Sequence, residues 1–411
     1  MNDPASIDPW LSIVGIGEDG WDGLNQEAKR LVLSADLLYG GARHLDHVPA
    51  EKTSAPRITW PSPMASAIKE ILTQHRSQRR ITVLASGDPM LYGVGVKLTR
   101  ELSTKEFRVI PQTSAFSLAC ARLGWPLAET ILVSLVSRPI EQLIRYFAPG
   151  QRLVIYSEDG STPAKVAHLL AYTGYGSSTM HILERVGGPF ERQISLPASD
   201  VSTELYDCLN VIAVVCLADA NARPLSLAPG LPDDAFETDG QLTKREVRAA
   251  TLAHLAPLPG QTLWDVGGGT GTIGIEWMRL HPSCSCITFE AREERAARIQ
   301  KNARRLGVPA LQVIHGVAPH AFHALPPPHA IFIGGGIGTD QLFEACWDRL
   351  LPGGRLVANA VTIASEASLS SWHQRYGGDL VRIHVAHSDL IGGAYVWRQR
   401  MPITQWTVTK P

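Results

Sequence analysis

Short apolar runs, most of them ending in a glycine-rich turn, recur along the chain and constrain its fold more than any other feature. The first half contains WLSIVGIGEDG, ITVLASGDP, RLVIYSEDG and NVIAVVCL, and the second contains TLWDVGGG, CSCITFE, LQVIHG, AIFIGGG, GRLVANAV and LVRIHVA. Helix-like segments alternate with these runs, for instance residues 25–34 and 165–171. Continuous apolar strands that alternate with helices are typical of parallel α/β sheets, whose ligands bind at the carboxyl ends of the strands. The pattern therefore predicts α/β layers in both halves, with the chemistry on strand-end glycine turns.

The overall composition excludes several other classes of protein. The net charge of −1 provides no global field that would attract nucleic acid or an anionic membrane. The longest apolar run, residues 211–218, is far shorter than the roughly 18 residues that a membrane span needs. The first residues, MNDPASIDPW, lack the pattern of a signal peptide. We therefore expect a soluble cytoplasmic enzyme or binding protein without a nucleic-acid or membrane partner.

The patterns of cysteine and of metal ligands predict neither a disulfide framework nor a metal site. The six cysteines are sparse and none lies in a CxxC, so buried, reduced thiols are expected. HExxH, paired CxxC and calcium-loop patterns are absent from the sequence, which predicts that the protein binds no metal. The sequence also lacks a Walker-type phosphate loop and a GxSxG elbow.

A proline-containing stretch of low periodicity divides the chain. Residues 218–240 read ADANARPLSLAPGLPDDAFETDG, which is typical of a linker. At about 150 residues per domain, a chain of 411 residues has two or three domains. We predict one domain at residues 8–218, a linker at 219–236 and a second domain at 237–411.

The most informative segment of the second half is Leu263–Gly271, in which a strand leads through glycines into a helix. Such glycines let the backbone approach a ligand and present its amides at the helix start. Two ligands fit this pattern: a dinucleotide bound through its pyrophosphate, and S-adenosylmethionine, which carries an ammonium and a sulfonium. Asp265 favours the second, because a carboxylate at this strand end weakens pyrophosphate binding and suits a cation. A role for Asp265 as a mere helix cap is the alternative.

Other strand ends of the second half add positions to the same crevice. Glu290 ends the next strand, where its carboxylate suits ribose hydroxyls of either ligand. Thr243 and Glu246 form a T-x-x-E capping box, which explains Thr243 as well as ligand contact does. Residues 316–319 leave room for an adenine ring, and residues 333–336 are either a substrate-facing loop or an ordinary turn.

Several segments of the second half resemble the decarboxylating precorrin methyltransferase domain of cobalamin synthesis. They are LTKREVR at residues 242–248, LWDVGGGTGTIGIE, HGVAPHAF, FIGGGIG, LPGGRLVANAVT and PITQWTVTK, and the resemblance spans essentially all of residues 237–411. It implies a Rossmann-like class I S-adenosylmethionine-dependent methyltransferase domain. The donor-binding positions that it implies are Thr243, Gly267, Gly268, Gly269, Thr270, Gly271, Glu290 and Ala318.

Segments of the first half resemble the tetrapyrrole methylase superfamily over about residues 10–218. They are VGIGEDG, GGARHL, LASGDPMLYGVG, PQTSAFSLACARLGW, EDGSTPAKVA and LERVGGPFE. The resemblance implies a two-lobed α/β domain that binds the methyl donor between its lobes. The implied donor-binding positions are Gly15, Gly17, Gly87, Asp88, Pro89, Ser114 and Ala115. Where relatives usually read SLHGRP, this chain has SLVSRP at residues 134–139, so the loss of the imidazole leaves a proton or substrate role for that position in doubt.

Together, the two resemblances imply a bifunctional methyltransferase that consumes S-adenosyl-L-methionine and acts on a precorrin tetrapyrrole. The first domain would methylate carbon 5, and the second would methylate carbon 15 and remove the ring C acetate carboxyl as carbon dioxide, giving precorrin-8X. The alternative is that only the second half is active, with the first half a substrate-binding or channelling module. By resemblance to relatives of the second domain, a homo-oligomer is expected.

The implied chemistry needs positioning more than acid–base residues, since the sulfonium is already activated and the meso carbon is electron-rich. We expect few obligatory acid–base residues, and no catalytic residue is identified. Cationic side chains should bind the substrate carboxylates or lie on the surface as solvated charges. The cationic candidates are Arg43, His44, Arg57, Arg138, Arg185, His384, His387 and Arg398, while Tyr395, Trp397 and Trp406 would stack on the macrocycle or pack in the core.

Overall fold

The computed structural model describes residues 9–411, which form two compact units. Unit 1 consists of the residues up to Arg138 together with Ala148–Arg223, and unit 2 consists of Pro139–Phe147 and Pro224–Pro411. The short segment Pro139–Phe147 thus belongs to unit 2, although unit 1 supplies the chain on both sides of it. Within the described residues, no helix has the length and apolar character that a membrane crossing requires.

The first lobe of unit 1 is a parallel five-stranded sheet in the order β3-β2-β4-β1-β5. Its strands are β1 (Leu11–Ile16), β2 (Leu37–Gly40), β3 (Arg57–Thr59), β4 (Ile81–Ser86) and β5 (Phe107–Ile110). Its helices are α1 (Gly20–Gly23), α2 (Gln26–Leu33), α3 (Ala42–Asp46), α4 (Ala65–Thr73) and α5 (Val94–Thr99). All residues of β1 and β2 are buried, as expected for parallel strands with both faces covered.

The second lobe of unit 1 is a mixed sheet in the order β6-β7-β10-β8-β9, in which β6 and β7 alone are parallel. Its elements are α6 (Ala115–Leu123), β6 (Thr130–Ser134), β7 (Arg152–Tyr156), α7 (Thr162–Tyr172), β8 (Thr179–Glu184), β9 (Arg192–Pro197) and β10 (Asn210–Val215). The expectation of a parallel sheet is wrong here. Short connections such as the one between β8 and β9 permit antiparallel pairing, whereas parallel neighbours need a long crossover.

Unit 2 contains a seven-stranded sheet in the order β13-β12-β11-β14-β15-β19-β16, with β19 antiparallel to both its neighbours. Its strands are β11 (Thr262–Val266), β12 (Ser285–Glu290), β13 (Gln312–His315), β14 (Ala330–Ile333), β15 (Arg355–Ala360), β16 (Asp379–Ile383) and β19 (Ile403–Thr409). Its remaining elements are α8 (Arg245–Leu255), α9 (Thr272–Leu280), α10 (Glu293–Arg305), α11 (Leu342–Arg349), α12 (Ile363–Tyr376) and the hairpin of β17 (Ala386–Ile391) and β18 (Ala394–Gln399). This is the predicted Rossmann-like α/β domain, and its strand order reverses beside β11, where such sheets bind ligands.

The core of unit 2 accounts for one of the aromatic residues that were possible stacking partners. Trp406 is 0% exposed, its ring contacts those of Phe343 and Trp372, and its indole N–H donates to the Gly377 carbonyl at 2.9 Å. Trp406 therefore packs in the core, whereas Tyr395 and Trp397 on β18 are exposed.

The later part of the predicted linker is fixed to unit 2. The backbone amides of Gly230 and Leu231 donate to the buried Glu276 carboxylate on α9, at 2.6 and 3.0 Å. Leu231 and Phe236 are buried in the same apolar cluster as Trp277. The chain is thus anchored before α8 begins.

The segment Pro139–Phe147 is anchored to unit 2 by a buried cation. The Arg145 guanidinium donates to the Arg279 carbonyl at 2.6 Å, and Leu143 and Phe147 are buried. Gly307 lies so close to this segment that a Cβ on it would be 2.6 Å from the backbone nitrogen of Arg145. The segment is therefore an integral part of the fold of unit 2.

Candidate functional sites

A cavity of about 810 Å³ in unit 2 lies at the carboxyl ends of β11, β12 and β14. From the predicted donor-binding set its lining includes Thr243, Gly267, Gly268, Gly269, Thr270, Glu290 and Ala318. Gly271 is absent from this lining; it precedes α9 with φ 82°, and a Cβ there would lie 2.7 Å from the Ile299 side chain. Close packing against α10 therefore accounts for the glycine at position 271.

The glycine turn after β11 makes one wall of this cavity from bare backbone. Gly267 has φ 77°, and a Cβ on it would lie 2.8 Å from the backbone nitrogen of Gly335 in the turn after β14. A Cβ on Gly268 would clash with the Thr288 side chain. The amides of Gly267 and Gly268 both donate to the Phe289 carbonyl, at 3.1 and 3.0 Å. No side chain fits at either position, so a ligand here can meet the main chain directly.

Asp265 is the most deeply buried carboxylate of the cavity lining. It is 1% exposed and accepts a hydrogen bond from the Gly274 amide in the first turn of α9, at 3.3 Å. Burial raises the pKa of Asp265 to about 7, with a further contribution from the nearby Glu290 carboxylate. A cation in the cavity would stabilise the charged form of this group. Asp265 thus caps the helix and also supplies a buried site for positive charge.

Glu290 ends β12 with both carboxylate oxygens held by backbone amides. One oxygen accepts from Gly269 at 2.8 Å, and the other accepts from Arg292 at 3.0 Å. Each carboxylate oxygen has more than one lone pair, so both can still accept from ligand hydroxyls. The position suits the ribose contact expected for it.

The predicted capping box of Thr243 and Glu246 is not formed. The N-cap of α8 is Lys244, without a side-chain cap, and the helix begins at Arg245. The Thr243 carbonyl instead accepts a hydrogen bond from the buried Arg248 guanidinium. Thr243 thus lines the cavity without capping the helix.

Cationic side chains and an apolar wall surround the rest of the cavity of unit 2. Of the cations expected in the second half, His387 lines it, whereas His384 and Arg398 do not, and Arg398 pairs with Asp389 at 3.3 Å. Sequence reasoning missed three lining cations, namely Lys244, Arg295 and Arg400. The apolar wall consists of Ile383, Val385, Met401 and Ile403.

A second cavity, of about 520 Å³, lies in unit 1 and is lined by residues of both its lobes. From the predicted donor-binding set it includes Gly17, Gly87, Asp88, Ser114 and Ala115, but neither Gly15 nor Pro89. A Cβ on Gly15 would clash with the Gly87 carbonyl, and the Pro89 backbone packs against Gly93. Gly15 and Pro89 therefore pack against the loop after β4 without lining the cavity.

The loop after β4 is tightly fixed. Gly87 has φ 52°, its amide donates to the Ile16 carbonyl at 3.1 Å, and a Cβ on it would lie 3.1 Å from the Ser114 Cα. The Asp88 carboxylate accepts from the Met90 amide at 2.9 Å. The Ser114 hydroxyl caps α6 by accepting from the Ser117 amide at 3.1 Å. The loop therefore presents a rigid backbone surface to the cavity.

Two of the cations expected in the first half line this cavity, Arg43 and His44. Arg57 instead donates to backbone carbonyls, and Arg185 pairs with Asp207 at 2.7 Å. Arg138 lies over the ring of Tyr92, itself a lining residue. Sequence reasoning did not single out three further polar lining residues, Glu18, Ser86 and Tyr156, which come from separate elements.

The position for which the resemblance implied a histidine faces this cavity. Val136 is 53% exposed and belongs to the lining. Ser137 follows with φ 54°, a conformation that glycine adopts without strain. An apolar side chain thus replaces an imidazole at the cavity wall.

Two family models match the chain, one for each cavity. The tetrapyrrole (corrin/porphyrin) methylases match residues 11–202, and the precorrin methyltransferase domain matches residues 234–410. With an α/β fold and a glycine-turn cavity in each unit, these matches define a two-domain methyltransferase. Methyltransferases of these families use S-adenosylmethionine.

The chain is 47% identical over 409 residues to a precorrin-6Y C(5,15)-methyltransferase [decarboxylating] from Sinorhizobium sp, covering 100% of this chain and 98% of that relative. It belongs to the precorrin-6Y C5,15-methyltransferase (decarboxylating) family, a family of cobalamin biosynthesis. The resemblances inferred from the sequence motifs are thereby confirmed.

Two relatives correspond to about half of the chain each. A cobalt-precorrin-7 C(5)-methyltransferase from Salmonella typhimurium is 31% identical over 207 residues, covering 50% of this chain and 98% of the relative. A protein from Pyrobaculum aerophilum named "Probable cobalt-precorrin-6B C(15)-methyltransferase (decarboxylating)" is 31% identical over 183 residues, covering 43% of this chain and 93% of the relative.

Proposed function

We propose that each unit binds its own molecule of S-adenosyl-L-methionine and transfers one methyl group to the precorrin. Unit 1 methylates carbon 5, and unit 2 methylates carbon 15 and removes the ring C acetate carboxyl as carbon dioxide, giving precorrin-8X. The observation that carries this proposal is the presence of two separate cavities, each walled by a strand-end glycine turn. The half-length relatives, one named for carbon 5 and the other for carbon 15 and decarboxylation, support the division.

In unit 2, the charge of the buried groups favours this donor over a dinucleotide. Asp265 is buried and lines the cavity, so a pyrophosphate at this strand end would meet a carboxylate, whereas Glu290 suits the ribose of either ligand. The donor's ammonium or sulfonium would instead stabilise the ionised form of Asp265, and its ribose would donate to Glu290. Thr243 and the turn Gly267–Thr270 would contact the rest of the donor, and the small Ala318 leaves room for adenine.

In unit 1, the donor would lie against the loop after β4 and the start of α6. Gly87 and Asp88 present this loop, Ser114 and Ala115 the helix start, and Gly17 the end of β1. The predicted contacts of Gly15 and Pro89 are replaced in this proposal by a supporting role, since both lie outside the lining.

The cavity of unit 2 also offers groups suited to decarboxylation. Lys244, His387 and Arg400 would bind substrate carboxylates that remain, because cations at the rim pair with them at modest desolvation cost. A carboxylate placed against the apolar wall would lose its hydration, which favours departure as carbon dioxide. The conjugated macrocycle accepts the electron pair that is left, so no separate electron sink is needed.

Two glycine substitutions test the division of labour. Gly267→Ala should lower donor affinity in unit 2 at least tenfold and abolish carbon 15 methylation and carbon dioxide release, because the new Cβ would meet Gly335. Gly87→Ala should block carbon 5 methylation in the same way. Calorimetric titration with S-adenosylmethionine, expected to show two sites per wild-type chain, and mass spectrometry of the products measure both effects.

Matched controls separate the clash from backbone strain. Gly260 (φ 82°) and Gly124 (φ 66°) have positive φ angles like those of Gly267 and Gly87, but a Cβ on either meets nothing within 4 Å. Gly260→Ala and Gly124→Ala should therefore retain both methylations. If both carbons are still methylated in the Gly87→Ala variant, unit 1 is a binding or channelling module and the division proposed above is wrong.

We also propose that the protein is a homo-oligomer in which a second copy covers the hairpin of β17 and β18. This hairpin and the residues after it expose large apolar side chains, namely Leu390, Ile391, Tyr395, Trp397 and Met401. A monomer rarely leaves so many together in water. Sedimentation velocity should give a multiple of 44.6 kDa, and a concentration-independent monomer would contradict this proposal.

A further inference from the structure

Methyl transfer leaves one excess proton on the substrate. When the carbon attacks, its π electrons form the new C–C bond and the C–S electron pair goes to sulfur, which leaves as a neutral thioether. The positive charge then lies on the macrocycle. One proton must leave, from the methylated carbon or from a ring nitrogen, and the electron pair of that bond returns to the π system. The attack needs no base, but the step that follows it needs a proton acceptor facing the substrate.

The cavity of unit 1 offers few such acceptors. The titratable side chains among its described lining residues are Glu18, Arg43, His44, Asp88, Tyr92 and Tyr156. The Glu18 carboxylate pairs with Arg43, and also contacts His47 at 3.2 Å and Arg185 at 3.5 Å. Asp88 belongs to the donor loop and accepts the Met90 amide. Glu18 is thus already in contact with three side chains that carry or can carry a positive charge. Asp88 lies in the loop that would bind the donor.

The two tyrosines are poorer acceptors than an imidazole at neutral pH. The Tyr156 hydroxyl accepts from the Phe116 amide at 3.1 Å, and burial raises the pKa of Tyr156. The Tyr92 ring lies under the Arg138 guanidinium at 4.8 Å. A neutral phenol accepts a proton only weakly, so His44 is the remaining neutral nitrogen acceptor among these side chains.

Hydrogen bonds fix the tautomer of His44. Its Nε2 lies 3.0 Å from Nη2 of Arg43 and 2.8 Å from Oγ of Ser86. A guanidinium can only donate, so Nε2 carries the lone pair. The proton is then on Nδ1, which is buried without a hydrogen-bond partner. Ser86 immediately precedes Gly87, so the basic nitrogen lies next to the donor loop.

The charges around His44 keep it unprotonated until substrate arrives. Burial and the Arg43 charge lower the pKa of His44 to about 4, with His47 acting in the same direction and Glu18 opposing. The imidazole is therefore neutral, and able to accept a proton, at physiological pH. A substrate rich in carboxylates adds negative charge beside it, which favours the protonated form.

We propose that Nε2 of His44 accepts the proton that the macrocycle loses after methylation in unit 1, its lone pair being freed when Arg43 turns from the ring to a substrate carboxylate. This inference rests on the proposed function of unit 1 and adds an acid–base residue where few were expected. Arg43 and Ser86 act as positioning residues, because both hold the ring by its Nε2.

The test uses His44→Gln in the full chain, because glutamine retains an acceptor for Arg43 but cannot hold the proton. The steady-state rate of the complete carbon 5 reaction, which includes the proton loss after methyl transfer, should fall about 10²- to 10⁴-fold, with donor affinity in unit 1 unchanged. Carbon 15 methylation and carbon dioxide release in unit 2 should remain at wild-type rates. The wild-type carbon 5 rate should fall as pH falls and His44 becomes protonated, whereas the residual rate of the variant should not follow this profile.

His181→Gln is the matched control. His181 also bonds a serine hydroxyl, Ser195 at 2.7 Å, and lies in unit 1 outside the cavity lining. This variant should methylate carbon 5 normally. Added imidazole should restore part of the carbon 5 rate to His44→Ala, which a purely structural role for His44 would not allow.

Three results would overturn the inference: a wild-type carbon 5 rate in His44→Gln, an equal loss in His181→Gln, or failure of imidazole to rescue His44→Ala. If the wild-type protein itself does not methylate carbon 5 in unit 1, the proposed function fails instead, independently of His44. Product masses from the wild type and the variants distinguish these cases.

Discussion

An Asp265→Asn variant is expected to bind S-adenosylmethionine about 100-fold more weakly in unit 2 while being more stable than the wild type without ligand. Asparagine still accepts the Gly274 amide, so the cap on α9 is retained. It lacks the negative charge that a bound cation would meet, and a hydrogen bond to a buried charge is worth about 2–3 kcal/mol. The same charge is costly in the empty cavity, because Asp265 is almost completely buried.

The size of the stability change depends on pH. Because the pKa of Asp265 is raised from 3.8 to about 7, the folded state binds its proton more tightly than the unfolded state does. Stability contributed by the protonated form is complete below pH 4 and is lost as pH rises to about 7. The advantage of the asparagine variant should therefore grow across this range and then level off at about 1–4 kcal/mol.

Melting curves of the full chain and calorimetric titrations between pH 5 and 8 test both effects. Asp348→Asn, on the exposed side of α11, is the control and should change neither quantity. Wild-type affinity should weaken as pH falls below about 7, and the affinity of Asp265→Asn should not. Equal donor affinity in the wild type and Asp265→Asn would remove the main physical reason for placing a cationic donor at this strand end.

Removing the charge of Arg248 should produce the largest loss of stability. This guanidinium is 0% exposed, pairs with the buried Glu276 and lies 3.3 Å from Asp233. Arg248→Met would leave Glu276 buried with only backbone donors, at a cost of about 3–5 kcal/mol. Because Arg248 also donates to the Thr243 carbonyl, donor affinity in unit 2 should fall with it.

A second substitution shows whether the uncompensated charge causes this loss. The double variant Arg248→Met/Glu276→Gln removes the orphaned charge and retains an acceptor for one of the Gly230 and Leu231 amides, so it should recover part of the stability. Arg304→Met, at an exposed position of α10, is the control. Denaturant unfolding followed by tryptophan fluorescence measures all three, and a loss below about 1 kcal/mol for Arg248→Met would contradict the assignment.

The sequence predicted those parts of the fold and site that depend on local patterns. A buried strand followed by glycines specifies a strand-end turn by itself, so the backbone wall at Gly267–Gly269 was predictable. The same pattern does not tell a glycine that faces a ligand from one that packs against a neighbour. Gly15 and Gly271 are of the second kind, and only the positions of Gly87 and Ile299 show it.

Features that depend on distant elements were not predictable from one sequence. Lys244, Arg295 and Arg400 meet at one cavity because α8, α10 and the chain after β18 converge there, and no spacing connects them. The capping box at Thr243 has the right residue types, but the chain enters α8 one residue later. The mixed sheet of unit 1 contains antiparallel pairs, and the direction in which two strands pair depends on their connections rather than on the apolar pattern of each strand.

Because Pro139–Phe147 belongs to unit 2 but lies within the sequence of unit 1, the two activities cannot be separated by one break in the chain. A break near residue 224 falls in the predicted linker, but it would leave Pro139–Phe147 in the N-terminal fragment, although this segment belongs to unit 2. The other fragment would lose Arg145, which donates to the Arg279 carbonyl. The two units are thus not simply joined end to end, because the fold of unit 2 includes a segment that lies within the sequence of unit 1.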